Sequence, residues 1–138
     1  VITPDAEKMW TADPASRALG IELQRAEAGL AETSMTVTAT MLNGLDVCHG
    51  GWIFALADTA LAFAANAQGE NALTTHAGIE YLQPAPEGAV LTATAIERHP
   101  VGRKAIFDVE VHEGGGALIA TVRGAVRRPR PADELLSD

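Results

Sequence analysis

Asp58 is the lone acid in a stretch that reads Trp52-Ile53-Phe54-Ala55-Leu56-Ala57 before it and Thr59-Ala60-Leu61-Ala62-Phe63-Ala64-Ala65 after it. Moving a carboxylate from water into such company costs several kcal/mol and raises its pKa unless partners compensate. That is how a general base or a carboxylate nucleophile is prepared. Just upstream stands His49-Gly50-Gly51. Glycines at a helix start expose unpaired backbone N–H groups and the positive end of the helix dipole, which together stabilise a developing oxyanion. Without side chains, Gly50 and Gly51 also let a carbonyl approach the backbone closely.

Cys48 beside His49 invites a thiol–imidazole reading, but adjacent residues point apart and no third group orients the pair. His49, placed just before the helix, suits hydrogen bonds that anchor the loop better than proton transfer. The four histidines stand at 49, 76, 99 and 112 without metal-ligand spacing, so no metal is expected.

The elements that must position these groups follow from periodicity. Trp52 to Gln68 reads as one helix, apolar on nearly every face. At 17 residues, and carrying Asp58, Thr59 and Asn66, it falls short of the ~20 apolar residues that span a bilayer, so it is a buried core helix. Thr3-Pro4-Asp5 and Asp13-Pro14 are two helix starts, giving a short broken helical segment over residues 1–20 that Gly20 ends. Ile21 to Glu27 and Leu30 to Thr38 read as a hairpin, with Ala31, Thr33, Met35 and Val37 sharing one face. After the helix, Leu73 to Leu82, Val90 to Glu97, Lys104 to His112 and Leu118 to Val126 are strands at hairpin spacings rather than crossovers. This order predicts an α+β fold, one domain over residues 21–127, in which a five- to six-stranded antiparallel sheet wraps the helix; residues 128–138 read as a flexible tail. One sheet covers only part of a helix. The remaining apolar surface and an edge strand call for a second copy, hence a homodimer at least.

Composition narrows the partners. A chain of 138 residues suits one domain, and 4 % aromatic content leaves Ala, Val, Leu and Ile to build the core. The net charge of −8 argues against nucleic acid. Seven of the ten basic residues nevertheless lie after residue 97, a local phosphate site or a solvated face with a basic tail. One cysteine and no visible export signal make the cytoplasm the expected location, with no membrane association.

Asn43-Gly44, Cys48-His49-Gly50-Gly51, Leu56-Ala57-Asp58, Ala62-Phe63-Ala64, Ile79-Glu80-Tyr81-Leu82 with Pro84, and Leu91-Thr92-Ala93-Thr94-Ala95 together resemble the hotdog-fold acyl-CoA thioesterases, most closely the phenylacetyl-CoA thioesterase group of bacterial aromatic-acid catabolism. The similarity spans about residues 15 to 127. It implies a hotdog fold, a homotetramer built from two dimers, and hydrolysis of phenylacetyl-CoA or a similar aryl or medium acyl-CoA. Coenzyme A would enter as part of the substrate, with no separate cofactor. By the same resemblance, Gly50 supplies an N–H to the thioester carbonyl and Asp58 drives the attack, as nucleophile or as general base. Asn43 is either an amide near the thioester or attacking water, or simply a turn residue. Thr74 is either a hydroxyl near the nucleophilic site or an ordinary strand threonine. His49 and Gly51 flank the substrate, Trp52, Phe54 and Leu45 wall the acyl pocket, and Arg103 and Lys104, with Arg98, Arg123 and Arg127, are candidates for the coenzyme A phosphates.

Gly50 and Asp58 are eight residues apart, about 12 Å along a helix, too far to serve one carbonyl within a chain. A site shared between protomers is therefore expected. Two other readings stay open: a hydratase or dehydratase on the same fold, which needs a histidine beside Asp58, and a non-catalytic acyl-CoA-binding module, which tolerates loss of Asp58.

Overall fold

The computed structural model describes residues 1–130; most of the expected tail lies outside the described residues. Two short helices open the chain, α1 (Pro4–Thr11) and α2 (Pro14–Ala18), capped by the side chains of Thr3 and Asp13 with proline in the first turn of each. The strands are β1 (Glu22–Glu27), β2 (Leu30–Thr36), β3 (Leu73–Tyr81), β4 (Val90–Val101), β5 (Lys104–Glu113) and β6 (Leu118–Arg127), and the single long helix is α3 (Gly50–Asn66).

All six strands form one antiparallel sheet in the order β1-β2-β4-β5-β6-β3. The pairs β1–β2, β4–β5 and β5–β6 are the expected hairpins. The step from β3 to β4 is not: β3 lies at the far edge beside β6, and β4 pairs with β2. The connection over residues 82–89 thus crosses the sheet, and it is pinned on the way. Cys48 donates its backbone N–H to Ala85, Val37 donates to Ala89, and Gly88 donates to Val37. Pro100 and Val101, expected in a turn, belong to β4, and the reversal is Gly102-Arg103, with Gly102 at φ +62.

The pleat sends alternate residues inward. Ala31, Thr33 and Met35 of β2, Leu91, Ala93 and Ala95 of β4, Phe107, Val109 and Val111 of β5, and Ala120 and Val122 of β6 are buried against α3. Alanines on both surfaces bring helix and sheet close. The Thr33 hydroxyl donates to the Leu56 carbonyl at 3.1 Å, and Gly29 donates its N–H to Ala64, so the β1–β2 hairpin is bonded to α3 as well as packed on it. At the other side, Trp10 meets Phe63 edge to face at 5.7 Å, and Ser16 lies 3.2 Å from the Thr59 hydroxyl. Asn66 ends the helix by holding both the N–H and the carbonyl of Ala72, which aims the chain into β3.

One helix face escapes this cover. Gly51, Phe54, Ala55, Asp58 and Ala62, spaced at helical intervals, keep part of their surface, as do Gly50 and Trp52 in the first turn, while the rest of α3 is buried. The two sheet edges differ likewise. β1 is covered by the N-terminal segment, where Ile2 bridges Ala26 and Ala26 donates to Val1. β3 has a neighbour on one side only, and Leu73, Tyr81 and Leu82 on it or just past it are exposed.

Candidate active site

α3 begins two residues earlier than its apolar run, with Gly50 and Gly51 as its first two residues and His49 as N-cap. His49 Nδ1 accepts the Gly51 N–H at 3.0 Å, and the His49 carbonyl accepts the Trp52 N–H at 3.0 Å. His49 donates its own backbone N–H to Met41 at 2.8 Å, which fixes the entry of the chain into the helix. Its ring is therefore a cap, spent on the N–H of Gly51. The N–H of Gly50 has no acceptor among the described residues. It is the donor left available at the positive end of a 17-residue helix.

Tyr81 covers this turn from above. Its hydroxyl donates to the Gly50 carbonyl at 2.9 Å, and a Cβ added to Gly50 would meet the Tyr81 ring at 2.8 Å. Gly50 therefore lacks a side chain because the ring stands where one would go. Gly50 and Tyr81 line a cavity of about 440 Å³ with Asn43, Cys48, Ile53 and Leu82. The sequence alone gives Tyr81 no role beyond its place in the Ile79-Glu80-Tyr81-Leu82 motif.

Asn43 lies in the same cavity, and its carbonyl oxygen is already engaged. Oδ1 accepts the N–H groups of Leu45 at 2.9 Å and Val47 at 3.3 Å, and the Asn43 backbone N–H donates to the Val47 carbonyl at 2.8 Å. The residue makes a turn, as an Asn there does, and this fixes its amide so that Nδ2 is the end presented as donor. Leu45, at the tip of that turn, is 84 % exposed, and Asp46 takes φ +65. Cys48 is buried and its thiol is pushed up by burial, which keeps it protonated and unreactive.

Asp58 lies two turns further along α3, on the partly uncovered face, half-buried. Burial raises its pKa, and no hydrogen bond or ion pair to a described residue offsets that. Trp52 and Phe54 are half-buried in the first turns of the same helix. Other sequence candidates lie elsewhere. Thr74, exposed at the start of β3, shares an end of the sheet with Lys104 and Arg127, through the pairings Thr74–Val126 and Lys104–Arg127. Arg103 sits in the adjoining reversal and reaches the Arg128 carbonyl at 3.4 Å. Tyr81 and Gly50 are at the opposite end, seven β3 residues or about 23 Å from Thr74. Arg98 and Arg123 both bind Asp108 on the sheet face away from α3.

A single antiparallel sheet wrapped on one long helix is the layout of the hotdog fold. The chain matches the thioesterase superfamily over residues 45–120 and belongs to that family. It is 41 % identical over 124 residues to the acyl-coenzyme A thioesterase PaaI of Escherichia coli K12, covering 90 % of this chain and 89 % of that one. The structure of the E. coli PaaI protein from the phenylacetic acid degradation operon superposes with a TM-score of 0.88 at 40 % identity, covering 91 % of each chain. A mutant of the phenylacetic acid degradation protein PaaI from Thermus thermophilus gives 0.81 at 35 % identity, covering 85 % of this chain and all of that one, 100 %. No helix among the described residues is long and apolar enough to cross a membrane, and no group of three or more His, Cys, Asp or Glu among them could hold a metal ion.

Proposed function

We propose that this protein hydrolyses acyl-CoA thioesters, phenylacetyl-CoA or a similar aryl or medium acyl-CoA, to the free acid and coenzyme A. The observation that carries the reading is the pairing, on one helix, of an unaccepted Gly50 N–H with an Asp58 carboxyl that nothing neutralises. The names of the relatives, an acyl-coenzyme A thioesterase and proteins of phenylacetic acid degradation, supply the substrate class.

The thioester carbonyl oxygen lies on the Gly50 N–H, with the Asn43 amide as a second donor. Asp58 either attacks the carbonyl carbon, expelling the thiolate and leaving a mixed anhydride for water to open, or takes a proton from an attacking water. As negative charge gathers on the carbonyl oxygen, the Gly50 N–H and the helix dipole hold it. The reaction needs no cofactor, since coenzyme A arrives within the substrate.

The site spans two protomers. Gly50 and Asp58 are both on α3, about 12 Å apart. The bare edge of β3 pairs with the β3 of a second copy, antiparallel about a two-fold axis, which continues the sheet. Such pairing sets the Thr74 end of one β3 beside the Tyr81 end of the other. It thereby gathers Thr74, Arg103, Lys104 and Arg127 of one chain near Gly50 of its neighbour, where the coenzyme A phosphates need cations. In that dimer the open face of α3, which carries Asp58, turns toward the partner chain, and two such dimers make a homotetramer, in the cytoplasm.

The test is free-thiol release from a panel of acyl-CoAs, by native protein and by Asp58→Asn. Equal rates for the two proteins would discard the mechanism. In single-turnover hydrolysis in oxygen-18 water, label entering Asp58 requires the anhydride, and its absence favours activation of water.

A further inference from the structure

The unpaired Gly50 N–H belongs to one of the least restrained starts a helix can have, two consecutive glycines. An oxyanion donor is useful only if it is already aimed when charge develops, because reorienting it would consume the stabilisation it offers. Something must therefore hold the turn.

The Gly50 carbonyl and the Gly51 N–H are the two polar ends of one peptide plane. Each has a side-chain partner: the Tyr81 hydroxyl donates to the oxygen at 2.9 Å, and His49 Nδ1 accepts from the nitrogen at 3.0 Å. The plane before it, between His49 and Gly50, is held by its own carbonyl, which accepts the Trp52 N–H. Four polar groups flank Gly50 in this turn, and three are engaged. The fourth, the Gly50 N–H, is left open; its own plane is held through the His49 carbonyl and meets the Tyr81–peptide–His49 chain at the Gly50 Cα, so the planes on both sides of that Cα are fixed. The ring adds a steric clamp, since it fills the place of a Gly50 Cβ. Bonds in such a chain also strengthen one another, as a donor on the carbonyl sharpens the N–H of the same peptide.

We propose that Tyr81 is a positioning residue for catalysis: with its hydroxyl on the Gly50 carbonyl and its ring on the Gly50 Cα, it locks the first turn of α3 so that the Gly50 N–H meets the thioester oxygen. Burial pushes the Tyr81 phenol up, so it remains a donor across the working pH range. Tyr81 is also the last residue of β3, so the lock ties the helix start to the bare edge of the sheet. The inference rests on the hydrolase reading and deepens it.

Tyr81→Phe keeps the ring and removes only the hydroxyl. Thiol-release kinetics should show kcat lowered about 3- to 10-fold, the worth of one hydrogen bond, with KM unchanged. The Gly50 and Gly51 amide resonances should shift in the same variant. A Tyr81 that merely walls the acyl cavity gives the opposite split, with KM altered and kcat and the amides as in the native protein, and that result overturns the proposal. The steric clamp is read separately by thermal melts. Gly50→Ala should lower Tm clearly in the native background and far less in Tyr81→Ala, where the ring is gone. An equal loss in both backgrounds means that the ring does not hold the turn. If native protein releases thiol from none of the panel, the hydrolase reading falls, while the amide shifts and the melts still decide for or against Tyr81.

Discussion

Asp58 and Asp108 show how one side chain serves two ends. Asp108 lies between Arg123, at 2.7 Å, and Arg98, at 3.3 Å, and the Arg123 hydrogen bond leads the effects that hold its carboxyl below the usual range. Its folded pKa is below the unfolded one, so it stabilises the protein above the ordinary carboxylate range and loses that contribution as pH falls. Asp58 has the reverse sign. Burial alone raises its folded pKa, so ionisation penalises the native state; the penalty is absent in acid, grows as pH rises through the carboxylate range, and is constant above the folded pKa. Asp58→Asn should therefore lower thiol release by about 10²- to 10⁴-fold, the usual worth of a general base. It should also raise Tm at neutral pH, a gain that melts at successively lower pH show vanishing. The native rate should climb with pH along a limb displaced above the ordinary carboxylate range, as expected for a base that works ionised. Asp108→Asn should leave the rate alone and cost at most about 1 kcal/mol at neutral pH, since that pair is solvent-screened. Asp58 was legible in the sequence because a charge in a greasy run is anomalous in itself. Tyr81 was not, because a tyrosine in a strand is ordinary until the end of β3 is seen to land on the start of α3.

At the scale of the elements, contact between α3 and the sheet depends on small residues. Gly124 of β6 faces Leu61, and a Cβ there would drive into Leu61 Cδ1 and approach the His76 carbonyl at 3.4 Å. Gly124→Ala should cost about 1–3 kcal/mol, toward the low end because the tip of a leucine can swing aside, as urea melts will measure. In a Leu61→Ala background the same change should cost less, and that coupling separates the steric cause from a backbone one. The strands themselves were legible, since Ala105, Phe107, Val109 and Val111 alternate with Lys104, Asp108 and Glu110, Ile106 alone breaking the polar side. The order of strands was not. Eight residues, 82–89, join β3 to β4. That length closes a loose hairpin, yet at ~3.3 Å per residue it also reaches ~26 Å. This is ample for the ~14 Å from one strand to the third beyond it. What decides between them is tertiary: Ala85 is fully buried and bonded to Cys48, so the connection crosses beside the start of α3.

For the whole molecule the deciding fact is a length. A helix long enough to carry both Gly50 and Asp58 holds them about 12 Å apart, so one chain cannot apply both to one carbonyl. In the proposed dimer the second chain pairs at β3, because the N-terminal segment covers β1 and leaves β3 bare. Both parts of that argument could be anticipated from the sequence in outline, but which edge is bare could not, since it depends on Val1 and Ile2 lying along Ala26. A mixing experiment measures the consequence. One parent carries Gly50→Val, whose side chain collides with the Tyr81 ring and displaces the donor; the other carries Asp58→Asn. Each parent alone should be nearly inactive. After co-refolding at equal ratio, half of the dimers are hybrids, and in each hybrid one site receives both defects while the other receives neither. Recovered activity should thus approach about one quarter of native and fall off as either parent is placed in excess. A site completed within one chain would recover nothing at any ratio, whatever the oligomeric state.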